Sequence, residues 1–185
     1  KVGFPVIIHP RKGSGTRGVK VAFNWEELRS LITSDCVVQD YLIPDEWRIS
    51  KSEITRAHVL NGDILRQADE YSTEVIVSKE GVVIGSITNW RTMKKGYPIR
   101  AIIDDFHEIR REAEQIVAEL IKIGHRGPCN LQARMVNGRP TFFEINPRFS
   151  GSTAIRCAAG FNGPDMIVRN YVLDESPYIL KGELK

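Results

Sequence analysis

The chain has 185 residues, 42% hydrophobic and 26% charged, enough to bury one domain's core. Its 26 basic side chains nearly balance 23 acidic ones, for a formal net charge of +3, too balanced to argue for nucleic acid as a partner. Cys36, Cys129 and Cys157 are odd in number and never spaced C-x-x-C, so they define no disulfide framework or zinc site, and no apolar run reaches the ~18 residues of a membrane span.

The cysteine usage fits a reducing, cytoplasmic setting. The chain starts at Lys1-Val2-Gly3 without a methionine or a signal peptide, so it reads as an excised piece of something longer. Phe4 to Pro10 is a short buried strand closed by proline. Arg11 to Gly18 is a glycine-rich, positively charged loop, and Val19 to Phe23 returns as a second strand to make a hairpin. Asn24 is a helix cap, with Glu27 at the capping-box position and Leu28, Leu31 and Ile32 on one apolar face.

Cys36 to Ile43 is a strand that turns polar at Gln39 and Asp40. Pro44 to Asp69 carries Trp47, weak alternation and an Asn61-Gly62 turn signal, and reads as a loop or an extra hairpin. Tyr71 to Val77 and Val82 to Thr88 are strands joined by a turn. Asn89 to Arg100 reads as a loop, with Arg91, Lys94 and Lys95 as a solvated basic cluster. Asp105 to Glu108 has capping-box spacing and opens the one long helix, whose Ile109, Ala113, Ile116, Val117, Leu120 and Ile121 follow a 3.6-residue period until Gly124. A further helix starts at Pro164-Asp165 and runs through Tyr171.

Thr141 to Gly151 is the chemically suggestive stretch. In a strand, alternate side chains face opposite ways, so Phe143 and Ile145 share one face and Glu144, Asn146 and Arg148 the other. Pro147 removes a donor and ends the strand or marks an edge. A carboxylate, a neutral oxygen donor two residues on and a cation beyond suit a hard metal ion holding phosphate. Magnesium takes few protein oxygens and fills its shell from phosphate and water. The preceding strand, Cys129 to Met135, carries Asn130, Gln132 and Arg134 opposite its apolar face. A two-residue loop at Asn137-Gly138 would pair Gln132 with Phe143, mixing polar and apolar faces. A three-residue loop, Asn137 to Arg139, pairs Gln132 with Glu144 and is the expected register.

The order of these pieces (strand and basic glycine loop, strand with a polar end, Gly127-Pro128-Cys129-Asn130-Leu131-Gln132, then Glu144-Ile145-Asn146-Pro147-Arg148) resembles the ATP-grasp superfamily, in its carbamoyl-phosphate synthase large-subunit branch. The resemblance implies an α+β fold: two lobes with mainly antiparallel sheets clasping ATP, residues 1–44 forming the smaller and 45–185 the larger. It implies that Gly13, Ser14, Gly15, Thr16, Arg17 and Gly18 close over the phosphates through backbone N–H groups, with His9 and Arg11 alongside. By the same resemblance, backbone groups of Gln39, Asp40, Tyr41 and Leu42 read the adenine edge and Glu70 binds the ribose hydroxyls. Gln132, Glu144 and Asn146 hold magnesium, with manganese as the alternative ion, and Arg148 is the catalytic cation on the terminal phosphate.

The implied reaction phosphorylates a small-molecule carboxylate with ATP, after which an amine or ammonia displaces phosphate to form a C–N bond. The alternative is an ATP-binding module without turnover. Three departures bear on that choice. His9 stands where the superfamily usually has Lys or Arg, Pro44 to Asp69 is an apparent insertion, and the usual preceding N-terminal domain is absent. The expected partners are therefore ATP, a carboxylate acceptor, and the rest of a larger chain or a second copy. Nucleic acid and membrane are not expected.

Overall fold

The computed structural model describes residues 3–12, 16–61, 64–94 and 97–175. The first unit is a three-stranded antiparallel sheet in the order β2-β1-β3, built from β1 (Val6–Pro10), β2 (Lys20–Ala22) and β3 (Cys36–Asp40). Helix α1 (Trp25–Leu31) covers one face, burying Leu28 against Val6, Ile8 and Ala22. Its start is the expected cap: Asn24 Oδ1 accepts from Glu27 N–H at 2.9 Å, and Glu27 Oε2 accepts from Phe23 N–H at 3.0 Å.

The stretch expected to be a loop or hairpin is a short helical turn (Asp45–Trp47), α2 (Arg56–Val59) and a minimal hairpin of β4 (Leu60–Asn61) and β5 (Ile64–Leu65). Ile54 and Val59 pack with Val21 and Tyr41, so this segment covers the other face of the small sheet. Burying that face is what gives a sequence of weak periodicity its place.

The second unit is a five-stranded antiparallel sheet in the order β10-β9-β6-β7-β8. Its strands are β6 (Glu70–Val77), β7 (Val83–Lys94), β8 (Tyr97–Ile103), β9 (Gly127–Val136) and β10 (Arg139–Asn146). Helix α3 (His107–Lys122) lies on one face, with Ala113 and Val117 buried against Val75, Val77, Cys129 and Leu131. Helices α4 (Thr153–Ala158) and α5 (Gly163–Ile167), the latter continuing as a wider turn over Val168–Val172, cover part of the other. There Phe161 and Met166 pack on Ile76 and Ile87.

Two expectations are corrected here. The supposed loop from Asn89 to Arg100 is strand: β7 runs on to Lys94, and β8 pairs with it from Tyr97. The basic residues hid it, because Arg91 is buried opposite Glu70 instead of solvated; Lys95 lies outside the described residues. The capping box expected at Asp105 does not form. Phe106 precedes the first helical residue with no side-chain cap, and Asp105 pairs instead with Arg110 at 3.1 Å. At the other end the stop is as read, with Gly124 at φ +99°.

The β9–β10 hairpin reconciles two demands that seemed exclusive. The loop is the two-residue turn Asn137-Gly138, both at positive φ (53° and 72°), and Arg139 pairs with Val136. The three-residue loop is therefore wrong. The register then shifts between Phe142 and Glu144, so that Phe142 faces Ala133 but Glu144 faces Gln132. A bulge at Phe143 adds the extra residue that a longer loop was expected to supply. It also reverses an expected face. Phe142 packs on the α3 side, while the Phe143 ring sits under the Arg134 guanidinium, 5.2 Å from its centroid.

A Cβ added at Gly138 meets nothing within 4 Å, so only its left-handed backbone resists substitution. Gly138→Val is expected to cost about 1–2 kcal/mol, measured as a lower midpoint of urea unfolding.

Candidate functional site

The face of the large sheet that carries α4 and α5 is apolar only at one end. Where Ile76 and Ile87 stop, the same face continues in register as Glu70 opposite Arg91, Ser72 opposite Gln132, and Gln132 opposite Glu144. Glu70, Arg91, Gln132 and Glu144 form one chain of contacts. Arg91 Nε donates to Glu70 Oε1 at 2.8 Å, and Arg91 Nη2 bonds the same oxygen. Both residues are buried, at 3% and 6% exposure. Burial pushes the Glu70 carboxyl above its ordinary value, and Arg91 opposes that shift.

The Gln132 carboxamide is oriented by its neighbours. With its oxygen and nitrogen exchanged to suit both neighbours, the oxygen accepts from Arg91 Nη2 at 3.1 Å and the nitrogen donates to Glu144 Oε2 at 3.2 Å. Asn146 Nδ2 donates to Glu144 Oε1 at 2.6 Å. Glu144 is exposed and Asn146 half-buried, so a carboxylate steered on both oxygens faces outward from the end of β10. Arg148 follows, also exposed, with Nη1 donating to the Phe149 carbonyl at 2.9 Å.

From the small sheet, half-buried His9 on β1 lies within electrostatic reach of both Glu144 and Arg134. Burial is the main cause that lowers its pKa, so the imidazole is neutral at pH 7. Gln39 on β3 reaches across to donate to the Phe143 carbonyl at 3.3 Å, the backbone group that the bulge turns outward. Tyr41 is buried, its N–H bonded to the Pro5 carbonyl at 3.2 Å, and the Leu42 carbonyl accepts from Arg134 Nη1 at 3.0 Å. Asp40 points to the opposite side, pairing with Lys51 at 2.8 Å and accepting from Gly3 N–H at 3.1 Å. Glu70, Gln132, Glu144, Asn146, His9 and Gln39 are thus brought together, whereas the Asp40 side chain is not. Arg11, Arg17 and Gly18 are exposed and Thr16 half-buried; Gly13, Ser14 and Gly15 lie outside the described residues.

Three arginines were missed as site-building groups. Arg134 lies between the rings of Tyr41 and Phe143 and ties the large sheet to the linking segment. Arg91 was read as solvated. Arg156 on α4 is fully buried and pairs with Glu74 at 2.8 Å. The Nη1 that meets Glu74 also donates to Ser150 Oγ (2.9 Å), while Nε donates to Asn89 Oδ1 (3.0 Å) and Nη2 to the Ser72 carbonyl (2.8 Å) and hydroxyl (2.9 Å). It fastens the segment after Arg148 onto β6 and β7. Burial lowers it to about 10, Glu74 opposing, so it stays charged at neutral pH. Only the lone charge of Arg156 among Ala154, Ile155, Cys157 and Ala158 hinted at a buried role; Arg91 sat among other polar and basic residues and gave no such sign.

Two small sheets' worth of polar residues meeting at one end, with one outward carboxylate between neutral amides, describe a cleft of the ATP-grasp kind. Solved structures agree on the fold. The N5-carboxyaminoimidazole synthetase of Staphylococcus aureus complexed with ADP superposes with a TM-score of 0.70 at 18% identity, covering 95% of this chain and 43% of that one. The biotin carboxylase domain of Hydrogenobacter thermophilus 2-oxoglutarate carboxylase, in complex with MgADP, ADP and bicarbonate, gives 0.65 at 16% identity over 96% of this chain and 38% of that one. Residues 63–181 match the family model described as "ATP-grasp in the biosynthetic pathway with Ter operon", and the chain belongs to that ATP-grasp family.

Among curated relatives, the carbamoyl phosphate synthase large chain of Thermotoga maritima is 26% identical over 193 residues, covering 98% of this chain. That of Methanocorpusculum labreanum is 28% identical over 165 residues, covering 86%. The chain spans only 16% and 14% of the length of these two relatives.

Two outcomes follow from the buried charges. Arg156→Met leaves the fully buried Glu74 uncompensated and is expected to cost about 3–5 kcal/mol, while the double variant with Glu74→Gln loses less; urea unfolding measures both. His9 has a lower pKa folded than unfolded, so the unfolded chain binds the extra proton first. Its contribution is intact above pH 6.5 and declines as pH falls from there through the folded value. His9→Gln is expected to flatten that part of the stability–pH curve.

Proposed function

We propose that this chain is the nucleotide-binding and phosphoryl-transfer part of an ATP- and magnesium-dependent ligase that activates a small carboxylate as an acylphosphate for C–N bond formation. The observation that carries the reading is the outward Glu144 carboxylate, held by Asn146 and Gln132, at the mouth of a cleft that His9 and Gln39 face from the other sheet. ATP lies between the two sheets in this reading. Gly13 to Gly18, with His9 and Arg11, border its phosphates; the backbone from Gln39 to Leu42 borders the base; Glu70 lies toward the ribose. The expected division into 1–44 and 45–185 shifts, because Trp47, Ile54, Val59 and Leu65 pack on the small sheet and their segment goes with the smaller lobe, leaving the second sheet as the larger one.

Magnesium fits the donor set. Among the described residues no three His, Cys, Asp or Glu side chains cluster to hold a metal ion. One carboxylate and a neutral amide oxygen are too few to hold a divalent ion alone, so phosphate oxygens complete its shell, which is how magnesium is usually bound. Glu144 and Asn146 supply the protein's oxygens for it, and manganese suits the same donors. When bound, the ion neutralises phosphate charge as transfer proceeds. Arg148, free to swing from an exposed position, adds a second positive charge at the terminal phosphate. Arg156 keeps the segment after Arg148 in place, and Gln39 with Arg134 holds the two sheets in register so that the reactants meet with little loss of orientation.

The remainder of the acceptor site comes from a longer chain or a second copy. Three free cysteines are compatible with the cytoplasm, and no described helix is long and apolar enough to cross a membrane. A second reading, nucleotide binding without turnover, is favoured by His9, whose neutral ring offers phosphate no permanent charge.

Calorimetry and turnover assays separate the readings. Mn²⁺ alone is expected to bind weakly and Mn²⁺ with ADP well, because the nucleotide completes the shell. Tight binding of the bare ion, or no nucleotide binding at millimolar concentration, refutes the site. ADP release that requires a carboxylate and disappears in Glu144→Ala supports the ligase; binding without release under every acceptor mixture supports the passive module.

A further inference from the structure

Arg134 is a cation that the two units hold in place without neutralising it. It stands half-buried on the cleft face of β9, and its charge bears on His9, Tyr41, Glu46 and Glu70. Tyr71 pairs with Ala133, so Arg134 lies beside Glu70, one step further along the strands. Glu70 is already bound by Arg91, as Glu74 is by Arg156, and among the described residues no carboxylate forms an ion pair with Arg134. The guanidinium is nevertheless fixed. Nη1 donates to the Leu42 carbonyl at 3.0 Å, and the central carbon lies 6.0 Å from the centroid of the Tyr41 ring and 5.2 Å from that of Phe143. What remains is the opposite edge: Nε, enclosed and without a hydrogen-bond partner, with Nη2 beside it. A guanidinium has five donors and no acceptor, and Nε with Nη2 forms its two-pronged side. Enclosed donors of a cation cost stability unless lone pairs meet them.

We propose that Arg134 is a base-contacting residue of the nucleotide site, whose edge opposite Leu42 donates to a lone pair on the base and so helps decide which bases are accepted. The inference deepens the nucleotide-binding reading and rests on it. Position argues for the base over the phosphates. In that reading metal and phosphate belong at the end of β10, with Glu144, Asn146 and Arg148. Arg134 pairs instead with Thr141, three residues before Glu144, and bonds the backbone at Leu42 that borders the base. Donors without lone pairs oppose an amino group and suit a ring nitrogen or a keto oxygen. The two rings and the Leu42 carbonyl hold this edge before a ligand arrives, so binding loses little side-chain freedom.

Calorimetry with ADP and with inorganic tripolyphosphate, each with magnesium, separates base from phosphate. Arg134→Met is expected to weaken ADP binding by about 10- to 100-fold, the worth of a hydrogen bond from a charged donor, and to leave tripolyphosphate binding unchanged. Equal losses for both ligands put Arg134 on the phosphates and overturn the inference, as does an unchanged ADP affinity. The affinity ratios among ADP, GDP, CDP and UDP are expected to change in the same variant; a uniform loss across the four overturns the role in base choice. Because Arg134→Met also loses the Leu42 bond, the wild-type chain supplies a second measurement. In ¹⁵N-arginine-labelled protein the Arg134 Nε–H signal is identified by its loss in the variant. It is expected to move downfield with ADP and to stay in place with tripolyphosphate. A signal that ignores bound ADP overturns the inference and leaves the nucleotide reading intact, whereas a wild-type chain that binds no ADP at millimolar concentration overturns both.

Discussion

One extra residue in β10 decides where this protein's polar side chains point. The turn at Asn137-Gly138 takes two residues with positive φ, which in an unbroken ladder would send Glu144 to the α3 face. The bulge at Phe143 restores it to the face of Gln132. The same distortion turns the Phe143 carbonyl toward Gln39 and its ring beneath Arg134. Asp45 accepts both N–H groups of the turn, at 2.7 and 2.8 Å, fixing the hairpin from the linking segment. Carboxylate placement and the joint between the sheets therefore share one cause.

Around that placement lies an unusual distribution of charge. One face of the large sheet begins as ordinary core, with Ile76 and Ile87 under Phe161 and Met166. A few residues further it contains two buried ion pairs, Glu70–Arg91 and Glu74–Arg156. Taking such pairs from water costs several kcal/mol per ion, and apolar side chains of similar volume often do as well for stability alone. Here the arginines distribute their donors widely: Arg156 over Glu74, Asn89, Ser72 and Ser150, Arg91 over Glu70 and Gln132. What they add is fixed direction for groups at the cleft.

Legibility followed the strength of local pattern. The α3 stripe, the Asn24 cap, the strand pairs and the pairing of Gln132 with Glu144 were readable, because periodicity and face consistency are local consequences of backbone geometry. β8 and the end of β7 were not, since a strand carrying Arg91, Lys94 and Arg100 reads as solvent-exposed until Glu70 is known to face Arg91. The correct pairing was reached through the wrong loop, because a bulge and a longer turn satisfy the same face requirement. The expected cap at Asp105 failed for a related reason: its carboxylate found Arg110 instead.

By itself the sequence determined the α+β class, the alternation that gathers Glu144 and Asn146 on one side, and the likeness that led to the ATP-grasp family. These are written in spacing, which acts over a few residues. Only the tertiary structure decided which cations are buried, and that Phe143 and Arg134 help join the sheets. Those outcomes depend on partners 21 to 104 positions apart, from Arg91 with Glu70 to Gln39 with Phe143. A donor or a charge acquires its direction only from the groups that folding sets against it.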